Sequence, residues 1–251
     1  MNPNQCRLEL RPRDPLESFD LLFRVLREWP GPFIRLAVWW LGPAWLVWSA
    51  GCWFTEGDPA LALALFVFAP MLQAPFTIAL ARRLFSEELR IRDVIRDLLS
   101  RIVPLIGLWF VLWLGGLLTI FWPLLQLMTL FATEAIVLER ASFSTGLRRS
   151  FRLVMGQFGT ALAGMFAWWV LTLWFAVIGE AVGQLIVDGL FQLGEPFGNA
   201  MDGKLTPWSI GGMVAAQGVY SLYRLLLYVD TRTRAEGWDL QVALRAAGLK
   251  P

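Results

Sequence analysis

The sequence lacks the residues that most often carry chemistry, because it contains no histidine and only two cysteines among 251 residues. Histidine is the commonest general base and metal ligand, and a zinc site without histidine needs a cluster of cysteines. A phosphate-binding glycine loop and a Gly-x-Ser-x-Gly nucleophile elbow are also missing. Catalysis by carboxylates alone stays open, but the acidic residues of the loops show no evident paired geometry. We therefore expect no enzymatic activity, no catalytic or metal site and no cofactor.

Charge is sparse as well, because 17% of the residues are charged whereas 57% are hydrophobic. This composition lies outside the range of ordinary soluble domains. A helix needs roughly 20 apolar residues to cross a bilayer. The hydropathy pattern predicts six spans, at about 33–54, 60–81, 102–121, 123–138, 158–182 and 207–229. The expected fold class is all-α, a polytopic membrane protein with six transmembrane helices and amphipathic inner-surface helices.

The positive charge that is present lies almost entirely on one predicted side. Of the 22 Lys and Arg residues, only Lys204 falls in a segment that the six-span pattern places outside. Cytoplasmic loops retain positive charge, so both termini are predicted to be cytoplasmic. The excess of arginine over lysine suggests a bacterial genome, and the expected location is the bacterial inner membrane. The retention of positive charge in cytoplasmic loops already explains the many arginines, so they do not indicate nucleic-acid binding and we expect no nucleic-acid partner.

Three segments between the apolar runs alternate charged and apolar residues at helical spacing. They are Leu16–Trp29, Ser86–Arg101 and Phe143–Met155. These segments are too charged to span, so we expect them to lie along the inner membrane surface. The predicted organisation is a cytoplasmic tail with an amphipathic helix at 1–32, a membrane domain at 33–229 and a cytoplasmic tail at 230–251.

Two opposite charges fall within predicted spans at matched depth. Glu134 lies six residues before Arg140, the first inner charge after the fourth span, and Arg224 lies six residues before Asp230. At 1.5 Å per residue, both would lie about 9 Å below the inner surface. A lone charge within the membrane costs at least ~2.5 kcal/mol, so the two are predicted to pair. The pair is interpreted as a clamp between helices or as part of a solute path, unless Arg224 snorkels to the surface.

Two predicted inner segments carry short motifs. One runs from Ile136-Val-Leu-Glu139 to Leu147-Arg-Arg-Ser150, and the other is Tyr-x-Asp-x-Arg-x-Arg-x-Glu-Gly-x-Asp from Tyr228 to Asp239. They resemble motifs of six-pass membrane domains found with some bacterial glycerophosphoryl diester phosphodiesterases and of their uncharacterised stand-alone relatives. Gly146 stands where that family usually has Ala. The resemblance implies the membrane architecture, but no catalytic residue carries over because the phosphodiesterase barrel is missing.

The charged residues of these inner segments form a candidate inner-surface network. Its members are Glu139, Arg148, Arg149, Arg152, Asp230, Arg232, Arg234 and Glu236. Glu139 precedes the surface helix that carries three of the arginines and can pair with one of them. The network is predicted to tie the C-terminal tail to the inner surface helices, and docking of a cytoplasmic protein is the alternative.

These features favour a non-enzymatic integral membrane protein that serves as a scaffold or a subunit of an envelope membrane assembly. Its expected partners are membrane lipids, with anionic headgroups at the inner face, and a membrane or cytoplasmic protein. The alternative is a carrier for a small solute or lipid, through a polar site around Glu134 and Arg224. A carrier needs a central polar cavity with alternating access, and this requirement separates the two hypotheses.

Overall fold

The structure is a computed structural model that describes residues 14–85, 90–116, 121–194, 196–198 and 200–237, without the side chains of residues 85, 201 and 236. Within these residues the fold is helical and contains no strand, as the composition predicted. The helices are α1 (Pro15–Glu28), α2 (Pro30–Phe54), α3 (Ala60–Phe85), α4 (Ile91–Ser100), α5 (Ile102–Gly116), α6 (Trp122–Met128), α7 (Ala132–Leu138), α8 (Phe143–Gly156), α9 (Phe158–Gln184) and α10 (Pro207–Glu236). A π-helical turn (Leu185–Leu190) and a 3-10 turn (Ala200–Asp202) follow α9.

The helices occupy the predicted segments, but several of their ends differ. α2 begins at Pro30, three residues before the predicted start at 33. Proline is favourable in the first turn of a helix, because the N–H groups there have no intrahelical acceptor and its missing N–H costs no hydrogen bond. α4 begins at Ile91 after an extended Arg90, and the predicted start at Ser86 lies outside the described residues. α10 runs to Glu236 without interruption, so the predicted boundary at 229/230 is not the end of a helix.

The fourth predicted span is interrupted at its middle. α6 and α7 contain seven residues each, and Thr129–Phe131 separates them. The hydroxyl of Thr129 donates to the carbonyl of Leu125 at 2.9 Å, which satisfies one of the carbonyls at the end of α6. The hydropathy pattern indicated one continuous helix here, since the break contains neither proline nor glycine.

Length and composition support three membrane-crossing helices, in the segments Pro30–Phe54, Ala60–Leu84 and Phe158–Leu190. A fourth is added if α4 and α5, which are bent by 70° at Arg101, form one broken span. Six crossings are not shown. α5 has 15 residues and would extend about 22 Å, less than the roughly 30 Å of a bilayer core. α10 is long enough at 30 residues, but it carries too many polar side chains to meet the same criterion.

Many large apolar side chains lie on the outside of the long helices, and several polar ones are buried. α2 exposes Trp39 and Val47, and α9 exposes Leu173 among many other large hydrophobic residues. By contrast, Gln217 and Arg224 of α10 are almost completely buried. Soluble proteins rarely expose apolar surface on this scale, because water disfavours it. The arrangement is that of a protein whose surroundings are lipid.

The chain divides into two compact units. The first contains residues 1–33, 74–166 and 221–251, and the second contains residues 34–73 and 167–220. In the first unit, α5 packs against α6, α7 and α8, and α8 packs against α6 and α7. In the second unit, Trp45 Nε1 donates to the carbonyl of Pro207 at 2.7 Å, and the amide of Leu205 donates to the carbonyl of Gly57 at 2.8 Å.

Glycines allow α9 and α10 to approach each other closely in the second unit. A Cβ atom on Gly212 would lie 1.9 Å from the carbonyl oxygen of Phe175, and one on Gly179 would lie 3.0 Å from Gly212 Cα. Small residues at helix contacts let backbones approach in this way within membranes. Any side chain larger than hydrogen at position 212 must therefore push the two helices apart.

We predict that Gly212→Ala lowers the thermal unfolding midpoint of the purified protein in detergent. Overpacking of a close contact costs typically about 1–3 kcal/mol. Gly159→Ala is the matched control, because no heavy atom lies within 4 Å of a Cβ built on Gly159. The control should be neutral or stabilising by up to about 1 kcal/mol through helix propensity. A Gly212→Ala variant at least as stable as the parent would contradict the close contact.

Candidate functional site

The structure brings the two predicted intramembrane charges together. Arg224 Nε of α10 donates to Glu134 Oε1 of α7 at 2.7 Å, and Thr77 Oγ1 of α3 lies 3.5 Å from the same oxygen. Glu134 is fully buried and Arg224 is 4% exposed. Burial removes both charges from water, which costs free energy. The attraction between the two charges offsets part of this cost. All three residues belong to the first unit, so the contact ties α3, α7 and α10 within it.

The second carboxylate oxygen of Glu134 is not satisfied by a side chain of this site. Oε2 is buried and has no hydrogen-bond partner among the described residues. A buried acceptor without a partner costs free energy, and in native proteins it calls for an explanation such as a water, an ion or a function. The Glu134–Arg224 pair thus connects two helices and leaves Glu134 Oε2 as a hydrogen-bond acceptor without a donor in the described part of the chain.

Glu139 contacts two other members of the predicted inner-surface network. It caps the C-terminal end of α7 and forms an ion pair with Arg149 of α8 and a second one with Arg232 Nη1 of α10, the latter at 3.3 Å. The hydroxyl of Tyr228 also donates to Glu139 Oε1. One carboxylate therefore joins three helices. The contacts connect α10 to α8 through the end of α7; the role of tying the tail to the inner surface helices stays a prediction.

Ser150 secures the break between α6 and α7. Its hydroxyl accepts from the amide of Phe131 at 3.1 Å and donates to the carbonyl of Met128 at 2.8 Å. Interrupting a helix frees backbone groups that must find new partners when they are buried. Arg149 and Ser150, neighbours in the Leu147-Arg-Arg-Ser150 motif, thus fasten α8 to the end of α7 and to the α6–α7 break. The motif was visible in the sequence, but nothing in the sequence indicated the α6–α7 break whose backbone groups Ser150 satisfies.

The remaining members of the predicted network fall into two groups. Arg234 Nε lies 3.1 Å from Asp230 Oδ2, one turn earlier on α10, and its Nη2 lies 3.4 Å from Asp14 Oδ1. The side chain of Glu236 lies outside the described residues. Arg148 and Arg152 are exposed and do not join Glu139. The predicted network is therefore assembled around Glu139 and Arg234, and two of the three α8 arginines stand apart from it.

A second buried polar cluster lies within the second unit. Gln217 Oε1 of α10 accepts from Gln73 Nε2 at 2.8 Å and from Trp168 Nε1 at 2.9 Å, and the Gln217 amide nitrogen donates to the carbonyl of Met213 at 3.0 Å. The three side chains are at most 2% exposed. The sequence offered only isolated polar residues in apolar runs, and their convergence on Gln217 could not be predicted.

Glu180 organises the segment after α9 in the second unit. Its carboxylate accepts from the amide of Ala200 at 3.3 Å, from Gln184 Nε2 at 3.1 Å and from the hydroxyl of Thr206. No motif in the sequence singled out Glu180. Among the described residues, no three His, Cys, Asp or Glu side chains are placed to hold a metal ion.

No known protein family, curated protein or solved structure matches this chain. The resemblance to the six-pass phosphodiesterase-associated membrane domains therefore stays a prediction.

We predict that Glu134 and Arg224 are energetically coupled. Glu134→Gln or Arg224→Gln alone strands a buried charge, and leaving a buried group unsatisfied costs about 1–3 kcal/mol or more. The double variant should cost less than the sum, with a coupling free energy of about 0.5–3 kcal/mol. The measurement is a double-mutant cycle on the free energy of unfolding in mixed micelles.

The half-exposed Arg82–Asp97 pair, 2.6 Å apart, is the matched control. Ion pairs with this exposure contribute about 0–1 kcal/mol, so its coupling should be smaller. Additive single and double effects at Glu134 and Arg224 would show that the pair does not stabilise the fold.

Proposed function

We propose that this chain is a non-enzymatic protein of the bacterial inner membrane, with six spans and cytoplasmic termini, that acts as a scaffold or subunit of an envelope assembly. One observation carries this proposal. Three polar side chains within the predicted spans are buried and bond to other side chains, since Gln73, Glu134 and Arg224 are at most 4% exposed. A carrier would need such groups to face a hydrated path.

One observation favours the alternative, a carrier for a small solute or lipid. The buried Oε2 of Glu134 has no hydrogen-bond partner among the described residues. A donor group on a transported solute would satisfy this oxygen. Accessibility of this position to water is therefore the property that distinguishes the two functions.

The six-span proposal depends on the hairpin formed by α5 to α7. If both arms cross, the chain has six spans; if the hairpin returns without crossing, α2, α3, α9 and α10 give four. Both numbers are even and leave both termini on the same side, as the charge asymmetry predicts. Phe121, which is 64% exposed and directly precedes α6, distinguishes the two topologies because it belongs to the turn of this hairpin.

We predict the reactivity of single cysteines, introduced after replacing Cys6 and Cys52, toward a membrane-impermeant maleimide. Asp58→Cys, Phe121→Cys and Asp202→Cys should react in intact spheroplasts, whereas Arg92→Cys and Ser144→Cys should react only after permeabilisation. Labelling at positions 58 and 202 without labelling at 121 would contradict six spans in favour of four. Labelling at 92 in sealed spheroplasts would contradict the orientation.

The same cysteine series tests the closed core. Thr77→Cys is nearly isosteric and places a thiol beside Glu134. We expect no reaction from either side, with Ser144→Cys as the reactive control in the permeabilised sample. Reaction at position 77 would show a water path to Glu134 and would favour the carrier.

A scaffold must also retain a protein partner. We predict that the tagged chain, extracted from native membranes in mild detergent, co-purifies with a defined protein at a fixed ratio measured by quantitative mass spectrometry. Because Glu139, Arg149 and Arg232 are satisfied internally, docking would use exposed inner charges such as Arg24 and Arg27 of α1.

Neutralising Arg24 and Arg27 to Gln should lower the partner-to-chain ratio. Asp58→Asn with Asp202→Asn is the control that changes two exposed charges on the predicted outer side. A chain that purifies alone under these conditions would contradict the scaffold proposal.

A further inference from the structure

A groove in the first unit lies between α8 and the α5–α6 pair. Its volume is about 670 Å³, within the roughly 300–1,000 Å³ of small-molecule sites. Val111 of α5, Leu125 and Met128 of α6, and Leu147, Phe151 and Met155 of α8 form an apolar floor. Arg148, Arg152 and Thr129 complete the lining. None of these residues takes part in the Glu134–Arg224 pair or in the Glu139 network.

The floor of the groove offers almost nothing to a polar ligand. The hydroxyl of Thr129 already donates to the carbonyl of Leu125 at 2.9 Å. Leu147, Phe151 and Met155 are spaced four residues apart, so they form one apolar stripe along α8. Phe151 is 52% exposed and Met155 is 48% exposed, which leaves this stripe open. Binding of an apolar chain to this floor would be favourable, because it would remove apolar surface from water.

The arginines supply the polar end of the site. Arg148 and Arg152 are one turn apart on α8, about 6 Å along its axis, and both are exposed. Neither forms an ion pair among the described residues, whereas Arg149 between them pairs with Glu139. Guanidinium groups bind phosphate oxygens through paired, charge-assisted hydrogen bonds. Two unpaired guanidinium groups beside an apolar floor are complementary to an anionic amphiphile.

We propose that this groove binds one anionic phospholipid, with its phosphate at Arg148 and Arg152 and an acyl chain along the floor. The proposal rests on the membrane orientation given above, in which α8 lies at the inner face, but not on the scaffold function. The inner leaflet carries anionic lipids, and α8 would hold its arginines at headgroup level. The occupant is thus a defined lipid at one site, beyond the general attraction of basic loops to the membrane surface.

The test uses the full-length chain in mild detergent and native mass spectrometry with two lipids of identical acyl chains, phosphatidylglycerol and phosphatidylcholine. We expect retention of phosphatidylglycerol over phosphatidylcholine. Arg148→Gln with Arg152→Gln should weaken phosphatidylglycerol binding at least about tenfold, because hydrogen bonds between charged groups are the strong class. Met155→Trp, which fills the floor without changing charge, should weaken binding of both lipids.

Arg92→Gln with Arg96→Gln is the matched control. These two arginines are also exposed and one turn apart, but they lie on α4, outside the groove. This variant should bind phosphatidylglycerol as the parent does. All variants change exposed side chains, and an unchanged unfolding midpoint in detergent alone verifies that each is folded.

Three results would overturn the proposal. Equal loss in the α4 and α8 arginine variants would show non-specific charge attraction. Displacement of the lipid by millimolar inorganic phosphate would show a site for a free anion. Loss of a bound acidic protein from the Arg148/Arg152 variant, with lipid binding unchanged, would show a protein-docking surface. Any of these leaves the scaffold proposal standing, whereas recovery of the chain outside the membrane fraction would contradict the proposed function itself.

Discussion

The positions of α3, α7 and α10 depend on the Glu134–Arg224 ion pair, because burying either charge without its partner would be strongly unfavourable. Packed protein and lipid offer little water to a polar group, so a buried charge needs another partner. The carboxylate on α7 and the guanidinium on α10 meet within 2.7 Å, with Thr77 of α3 beside them. Three helices are thereby fixed relative to one another in the first unit by a single desolvated contact.

The same constraint explains the other polar clusters. Gln217 is satisfied by Gln73 and Trp168, and Glu139 is satisfied by Arg149, Arg232 and Tyr228. A buried polar cluster with missing hydrogen bonds would be less stable than an apolar one, so each of these clusters depends on all of its members. The long helices expose many large apolar side chains, whereas α8 exposes the charged side chains of Arg148 and Arg152.

This division of roles bears on function. A path for a solute requires polar groups that face water, whereas Gln73, Glu134 and Arg224 are buried and bond to other side chains. The chemistry left available is on the surface helices, where Arg148 and Arg152 stand beside an apolar groove. This surface is the one that we propose for binding an anionic lipid.

The sequence by itself determined the helical class and the positions of the apolar segments, and it predicted that Glu134 and Arg224 pair. These follow from hydrophobic period, length and the cost of a lone buried charge, all of which are local or one-dimensional properties. Only the tertiary structure decided which partners close each cluster: that Arg149, and not Arg148 or Arg152, reaches Glu139, and that Ser150 satisfies the α6–α7 break. These choices depend on the angle and distance between helices, and residues far apart in sequence carry no signal of that geometry.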